Sequence, residues 1–281
     1  MKKQIVTIAA LAMSLNMFAQ QWPVPNQEAK PGTRWWWLGS AVTENDLKWN
    51  LRQFADHGIG AIEITPIYGV QGNEKNNIPF LSPRYMDILK YVNAECKADG
   101  IEFDMATGTG WPFGGPWVPL DESASQMLII DTTVVGKKIK ALDLRPIEKK
   151  RKNTTLVGIY AFSEGKFLKI TTPLVEGTLT TKLPSKGTWR IIALYQKKGV
   201  MAVKRAAPGG AGLVIDHFDK QAVTNYLKHI EEAFEKTGTP YPHTFFNDSY
   251  EVSESDYTPT LFQEFYNRRG YSLEENFDKL V

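Results

Sequence analysis

The chain has 281 residues, 42% of them hydrophobic, with 33 basic side chains against 31 acidic ones. That length holds one large domain or two ordinary ones, and the apolar fraction suffices for a real core. So even a balance of charge carries no signature of nucleic-acid or membrane-surface binding.

Lys2 and Lys3 precede an apolar run from Ile5 to about Leu15, and Ala19 sits near a small-residue cleavage point. This pattern predicts a secretory signal over residues 1–20, too short for a membrane span, and a periplasmic or extracellular mature protein. No cysteine follows the apolar run, so no lipid anchor is expected there. The one cysteine, Cys96, has no partner for an internal disulfide and reads as core packing.

Next comes the aromatic run Arg34-Trp35-Trp36-Trp37-Leu38-Gly39, read as the first strand. Thr43 with Asp46 three residues on caps a helix whose buried stripe is Leu47, Leu51 and Phe54, closed by Gly58. Ala61 to Thr65 is a second strand, halted by Pro66. Ser82-Pro83 starts another helix, with Ile88, Leu89, Val92 and Cys96 inward and Gly100 at its end. Ile101 to Met105 is a third strand. Strand–helix alternation in this order predicts parallel strands with helical crossovers.

From the glycine-rich Gly108–Gly115 segment to about Asp219 the pattern changes to short β-rich runs between turns: Met127–Thr133, Thr155–Ser163, Leu168–Thr172 and Trp189–Gln196. They predict an inserted β-sandwich-like domain. The basic patch Lys149 to Lys152 between two of these runs reads as a solvated loop.

Alternation resumes at Gly212 to His217. Asp219 caps a helix with Val223, Tyr226, Leu227, Ile230 and Phe234 inward, ended by Gly238. The run from His243 to Phe246 reads as a short buried strand, ending in Asp248 and Glu251. Thr258-Pro259 opens a last helix carrying Leu261, Phe262 and Phe265, stopped by Gly270.

Five strand–helix units with an insertion after the third predict an α/β fold, a partial (β/α)8 TIM-type barrel. Its first part covers 21–124, the inserted β-rich domain 125–210, and the continuation 211–281, truncated before closure. A full eight-unit barrel needs roughly 200–250 residues, so the chain reads as the front portion of a longer protein.

Polar residues gather at the carboxyl ends of the expected strands: Glu63, Asp104 with Thr107, Asp216 with His217, and Asp248 with Glu251. Any one alone reads as a cap or loop brace, but in a parallel barrel those ends converge on one rim. Glycosidic cleavage needs a protonated carboxyl to assist the departing oxygen and an ionised one acting on the opposite face. Glu251, flanked by Tyr250 and within reach of tryptophans that exclude water, is the expected proton donor. Trp36, Trp37 and Trp111 are candidate sugar-stacking surfaces. The four histidines show no metal-ligand spacing on one helix, and Gly108–Gly115 lacks the lysine of a phosphate loop. No Gly-x-Ser-x-Gly elbow is present.

Four segments also carry a family resemblance. Trp35-Trp36-Trp37-Leu38-Gly39, Thr107-Gly108-Thr109-Gly110-Trp111-Pro112-Phe113-Gly114-Gly115, Lys204-Arg205-Ala206-Ala207-Pro208-Gly209-Gly210 and Asp248-Ser249-Tyr250-Glu251 resemble glycoside hydrolase family 106, from about Pro31 onward and in the same order. The resemblance implies an α-L-rhamnosidase with a (β/α)8 catalytic barrel, attached β-domains and inverting hydrolysis by two glutamates. It further implies calcium near the sugar and a rhamnose-containing oligo- or polysaccharide as partner. Glu251 matches the general acid, and the second glutamate is expected beyond Val281. The alternatives are a carbohydrate-binding fragment without turnover and a glycosidase of the same architecture acting on another sugar.

Overall fold

The computed structural model describes residues 25–281, so the expected secretory signal lies outside the described residues. Strand β1 (Gly32–Leu38) leads into helix α1 (Glu44–Asp56), strand β2 (Ala61–Ile67), helix α2 (Pro83–Asp99) and strand β3 (Glu102–Ala106). The three strands pair in parallel, with Arg34, Glu63 and Asp104 abreast. The local stop signals act as the residue types dictate. The Thr43 hydroxyl accepts the Asp46 N–H, Ser82 accepts that of Tyr85, and Gly100 ends α2 in the left-handed region that lacks a Cβ penalty. Pro66 does not halt β2 as expected. β2 pairs with β3 only as far as Ile64, so Pro66 lies where that side of the strand is an edge and its missing N–H breaks no ladder.

Alternation along β1 sorts its side chains onto two faces. Trp35 and Trp37 point toward the helices, edge-on to Phe54 and Tyr85 respectively. Behind them Leu47, Leu51, Ile62, Ile64, Ile88, Leu89 and Val92 form the main core. Arg34 and Trp36 belong to the opposite, polar face.

The middle of the chain forms two antiparallel sheets. Strand β4 (Gly114–Gly115) is a two-residue piece. Strands β5 (Ser125–Asp143), β6 (Thr154–Ser163), β7 (Lys166–Ile170) and β8 (Thr178–Lys198) form one sheet in the order β5-β8-β6-β7. The expected sandwich is thus one continuous sheet. β5 and β8 are long, their register slips between Gly136 and Lys138 and again between Ile139 and Leu142, and bulges of that kind bend a strand. Ile139, Leu144, Leu179 and Leu183 of the far half are buried with Ile159, Ile170, Ile191 and Ala193 of the near half.

Strand β9 (Leu213–Val214) departs from the sequence reading. It pairs antiparallel with β4 and contributes nothing to the parallel sheet. Neither Gly114 nor Gly212 has room for a Cβ, so the segments meet backbone to backbone. Helix α3 (Lys220–Thr237) follows, capped by Asp219 and ended by Gly238. Its buried stripe is Ala222, Tyr226, Ile230 and Phe234 at i, i+4 spacing. Leu227, one helical step aside, is exposed where the sequence reading had it inward.

Strand β10 (Phe245–Phe246) joins the parallel sheet beside β3, giving the order β1-β2-β3-β10. It was expected to be buried, yet Phe245 and Phe246 are 41% and 38% exposed, because β10 is an edge strand among the described residues. Helix α4 (Leu261–Arg269) is preceded by Thr260 at its cap position, without a side-chain capping bond, so Thr258-Pro259 sits ahead of the helix start. Its residues Leu261, Phe262 and Phe265 pack, with Leu273 and Phe277, on Tyr160, Phe162, Ile192 and Leu194 of the antiparallel sheet. The architecture is therefore mixed α/β, with four parallel strands, a bent antiparallel sheet and a small antiparallel pair. No helix among the described residues is long and apolar enough to cross a membrane.

Candidate functional site

The polar face of the parallel sheet centres on Arg34. Its Nε lies 3.2 Å from Glu63 Oε1, and its Nη1 lies 2.9 Å from Asp248 Oδ2. Thr65 donates to Glu63 Oε1 at 2.8 Å, and the indole N–H of Trp111 donates to Asp248 Oδ1 at 3.1 Å. The Phe246 ring lies 5.1 Å from the guanidinium carbon, a cation–π contact. Burial alone would lower the pKa of Arg34. The hydrogen bond to Asp248 and the fields of Glu63 and Asp248 outweigh that and raise it.

Arg34 also separates two cavities. The upper one, of about 370 Å³, is lined by Arg34, Trp36, Trp111, Arg205, Asp248, Ser249 and Glu251. The Trp36 and Trp111 rings stand 5.5 Å apart and tilted, and Trp36 is 45% exposed, so an open aromatic corner faces the carboxylates. The lower cavity, of about 210 Å³, lies along the starts of β1 and β2 and holds Glu63 and Asp104.

Trp36, Trp111, Asp248 and Glu251 are therefore brought together as the sequence suggested, and Glu63 joins them through Arg34. The other candidates lie elsewhere. Trp37 is 1% exposed, sealed in the core by the alternation that turns Trp36 outward. Asp104 stays in the lower cavity, accepting the Thr244 N–H at 2.8 Å and facing the His243 ring nitrogen at 3.1 Å. Thr107 is buried, and its carbonyl accepts the Tyr226 hydroxyl at 2.7 Å.

Asp216 and His217 are displaced because β9 left the parallel sheet. Asp216 is 2% exposed and accepts the Phe218 N–H at 3.0 Å. Burial pushes its pKa up, while the Phe218 N–H and the neighbouring Thr258 hydroxyl pull it back in part. The His217 ring stands edge-on to Tyr250 at 5.1 Å, and burial lowers its pKa. His217 therefore packs against the 248–251 segment through Tyr250, while Asp216 braces its own loop.

Glu251 itself is exposed, so the described residues do not build the water-excluding enclosure expected around it. Calcium, implied by the family resemblance, finds no donor set here. Among the described residues no three His, Cys, Asp or Glu side chains are placed to hold a metal ion, and Glu63 and Asp248 face a guanidinium rather than an open cation site. A larger groove of about 860 Å³ lies between the start of α3 and α4. Its acids are committed structurally, Asp219 to capping α3, Asp256 to the Met127 N–H and Glu264 to Arg268.

Three cavity residues escaped the sequence reading: Arg34, Ser249 and Arg205. Period-two alternation could have found Arg34, because it shares a face with Trp36. Arg205 stands in a loop clamped on both sides. Trp111 and Lys204 exchange backbone hydrogen bonds at 3.0 and 2.8 Å, and the Tyr68 N–H donates to the Arg205 carbonyl at 3.0 Å.

A family model described as alpha-L-rhamnosidase matches residues 23–156 and 148–280. A Formosa agariphila protein provisionally named a beta-glucuronidase is 26% identical over 295 residues, covering 89% of this chain and 25% of that protein. The solved structure of a rhamnosidase from Novosphingobium sp. PP1Y superposes with a TM-score of 0.63 at 15% identity, over 90% of this chain and 41% of that one. The chain thus spans about a quarter of the curated relative and two fifths of the solved one.

Proposed function

The chain belongs to glycoside hydrolase family 106, the alpha-L-rhamnosidases, and from that premise we propose that it is the amino-terminal part of a secreted glycosidase removing rhamnose from plant polysaccharides or glycosides. β1, β2 and β3, joined by α1 and α2, supply the first βα units of a (β/α)8 barrel in this reading. β10 is the next barrel strand, and the antiparallel sheet is an insertion.

The observation that carries the proposal is the convergence of Glu251, Asp248, Trp36 and Trp111 on one open cavity. Glu251 is the only carboxylate lining it that has no ion pair or side-chain hydrogen bond among the described residues. Both oxygens of Asp248 are engaged, by Arg34 and by the Trp111 indole. In the proposed reaction a sugar ring stacks in the Trp36–Trp111 corner. The Glu251 carboxyl gives its proton to the glycosidic oxygen as the C–O bond breaks. Asp248 fixes Trp111 and Arg34 in place through its two oxygens. Inversion requires a second carboxylate on the far face of the ring, with room for water between the pair. Barrel segments outside the described residues supply it in this reading.

The test uses the longer protein that contains this chain, assayed on rhamnosides with good and poor leaving groups. Glu251→Gln should lower kcat about 10²–10⁴-fold on an alkyl rhamnoside. On a dinitrophenyl rhamnoside, whose leaving group departs without a proton, the loss should be much smaller. Equal losses on both would remove Glu251 from the proton-donor role. A second reading, sugar binding without turnover, is favoured for the 281-residue chain by itself, because one free carboxylate cannot serve both faces. Titration with rhamnose oligosaccharides should then give binding and no product.

A further inference from the structure

The even charge of the whole chain conceals a segregation that the fold brings out. Between Ser125 and Lys198, the antiparallel sheet and its loops, 15 basic residues stand against 5 acidic ones, whereas the rest of the chain has 18 against 26. The ion pairs of this region use Arg145, Lys169, Arg190 and Lys198, and leave the other 11 cations without an acidic partner among the described residues. The bend in β5 and β8 turns Ile139, Leu179 and Leu183 inward, so alternation turns Lys138, Lys140 and Lys182 out to solvent. Lys138 and Lys182 stand directly opposite one another, a pairing of like charges that weakens a sheet. Past Asp143 the chain runs into the exposed basic residues Lys149, Arg151 and Lys152. The same loop exposes Ile147, and the turn tied to it by the Leu144 N–H on the Gly177 carbonyl at 2.9 Å exposes Val175, at 57% and 72% respectively.

We propose that this face docks the protein on the phosphate headgroups of an anionic lipid bilayer, with Ile147 and Val175 seated between the headgroups. The glycosidase reading is not needed for it. Such a surface supplies a dense negative charge that relieves the Lys138–Lys182 repulsion, and an apolar layer beneath it for the two aliphatic side chains. Lysine suits the task, because its ammonium is a compact point charge on a flexible stem that can follow moving headgroups. A polysaccharide fits this face less well. Sugar rings stack on aromatic side chains, and none of the five aromatics between Ser125 and Lys198 is exposed.

The experiment sediments the longer protein that contains this chain with vesicles of phosphatidylcholine, alone or mixed with phosphatidylglycerol. The wild type should partition onto the mixed vesicles about a hundredfold or more in preference, and high salt should remove most of that difference. Lys138→Gln, Lys140→Gln and Lys182→Gln together should lower the partitioning about a hundredfold, at about fivefold per lysine. The denaturation midpoint of this variant should hold or rise, because a repulsive pair has gone, so unfolding cannot account for the loss. A control with Lys97, Lys220 and Lys236 of α2 and α3 changed to Gln has the same net charge and should bind like the wild type. Ile147→Ser with Val175→Ser should remove the binding that survives at high salt. A wild type with no preference for the mixed vesicles would overturn the assignment, and so would a control that falls as far as the Lys138 variant. Sedimentation with polygalacturonate but not with mixed vesicles would overturn it in favour of a polysaccharide partner.

Discussion

Arg34 holds two carboxylates from segments far apart in sequence, Glu63 from β2 and Asp248 from beyond β10. Removing its charge leaves both acids facing each other without a counter-charge. Arg34→Met should therefore lower stability by about 1–3 kcal/mol in chemical denaturation, the usual cost of orphaning charged hydrogen bonds. It should also release Trp111 and so lower activity of the longer protein. Asp216 gives a pH signature of known sign. Its folded pKa is raised above the ordinary 3.8 by burial, so the folded state holds the proton more tightly than the unfolded one. The stability it contributes is complete below 3.8 and is lost as pH rises through the raised value. Asp216→Asn keeps an oxygen for the Phe218 N–H and lacks that loss. Denaturation midpoints of wild type and variant should thus diverge with rising pH across that window, in favour of the variant.

Elements differ in how far local sequence dictates them. α1, α2 and α3 were legible because their caps and stops are local: Thr43, Ser82-Pro83, Gly100, Asp219 and Gly238 each act within one turn of their own position. The strand at Leu213 was legible as a strand, but its partner was not. Joining β4 depends on backbone contact with a glycine pair about a hundred residues earlier, and periodicity does not report that. The same non-local fact moved Asp216 and His217 away from the cavity that Trp36 and Glu251 share. Trp37 was misplaced for a simpler reason: adjacent strand residues face opposite ways, so Trp36 and Trp37 could not both reach a ligand. Glycine packing yields the prediction at this scale. Gly110→Ala puts a Cβ into the Lys204 carbonyl, and backbone has no rotamer with which to yield. The variant should lose about 1–3 kcal/mol in thermal or chemical unfolding, as overpacked sites do.

Across the whole molecule the two large sheets are tied by the carboxyl-terminal part of the chain. Phe277 is fully buried against Tyr160 and Phe262, and Arg190 donates to the Asp278 carbonyl at 2.7 Å. Phe277→Ala should cost about 3–5 kcal/mol, and hydrogen exchange should rise through 261–280 and the facing residues of β6 and β8 before it rises in β1 to β3. Uniform loss of protection across both sheets would show that they unfold as one unit.

The stretch between β10 and α4 leaves one sheet and fastens to the other. Asp256 accepts the Met127 N–H at 2.6 Å, and the Ser125 hydroxyl donates to the Tyr257 carbonyl at 2.8 Å. Glu251 rides midway on a bridge whose abutments stand on separate layers. Its reach over the cavity is consequently a function of the spacing between those layers. A designer wishing to shift the proton donor by a fraction of an ångström could leave the cavity wall untouched and shorten or loosen the distant mooring at Ser125.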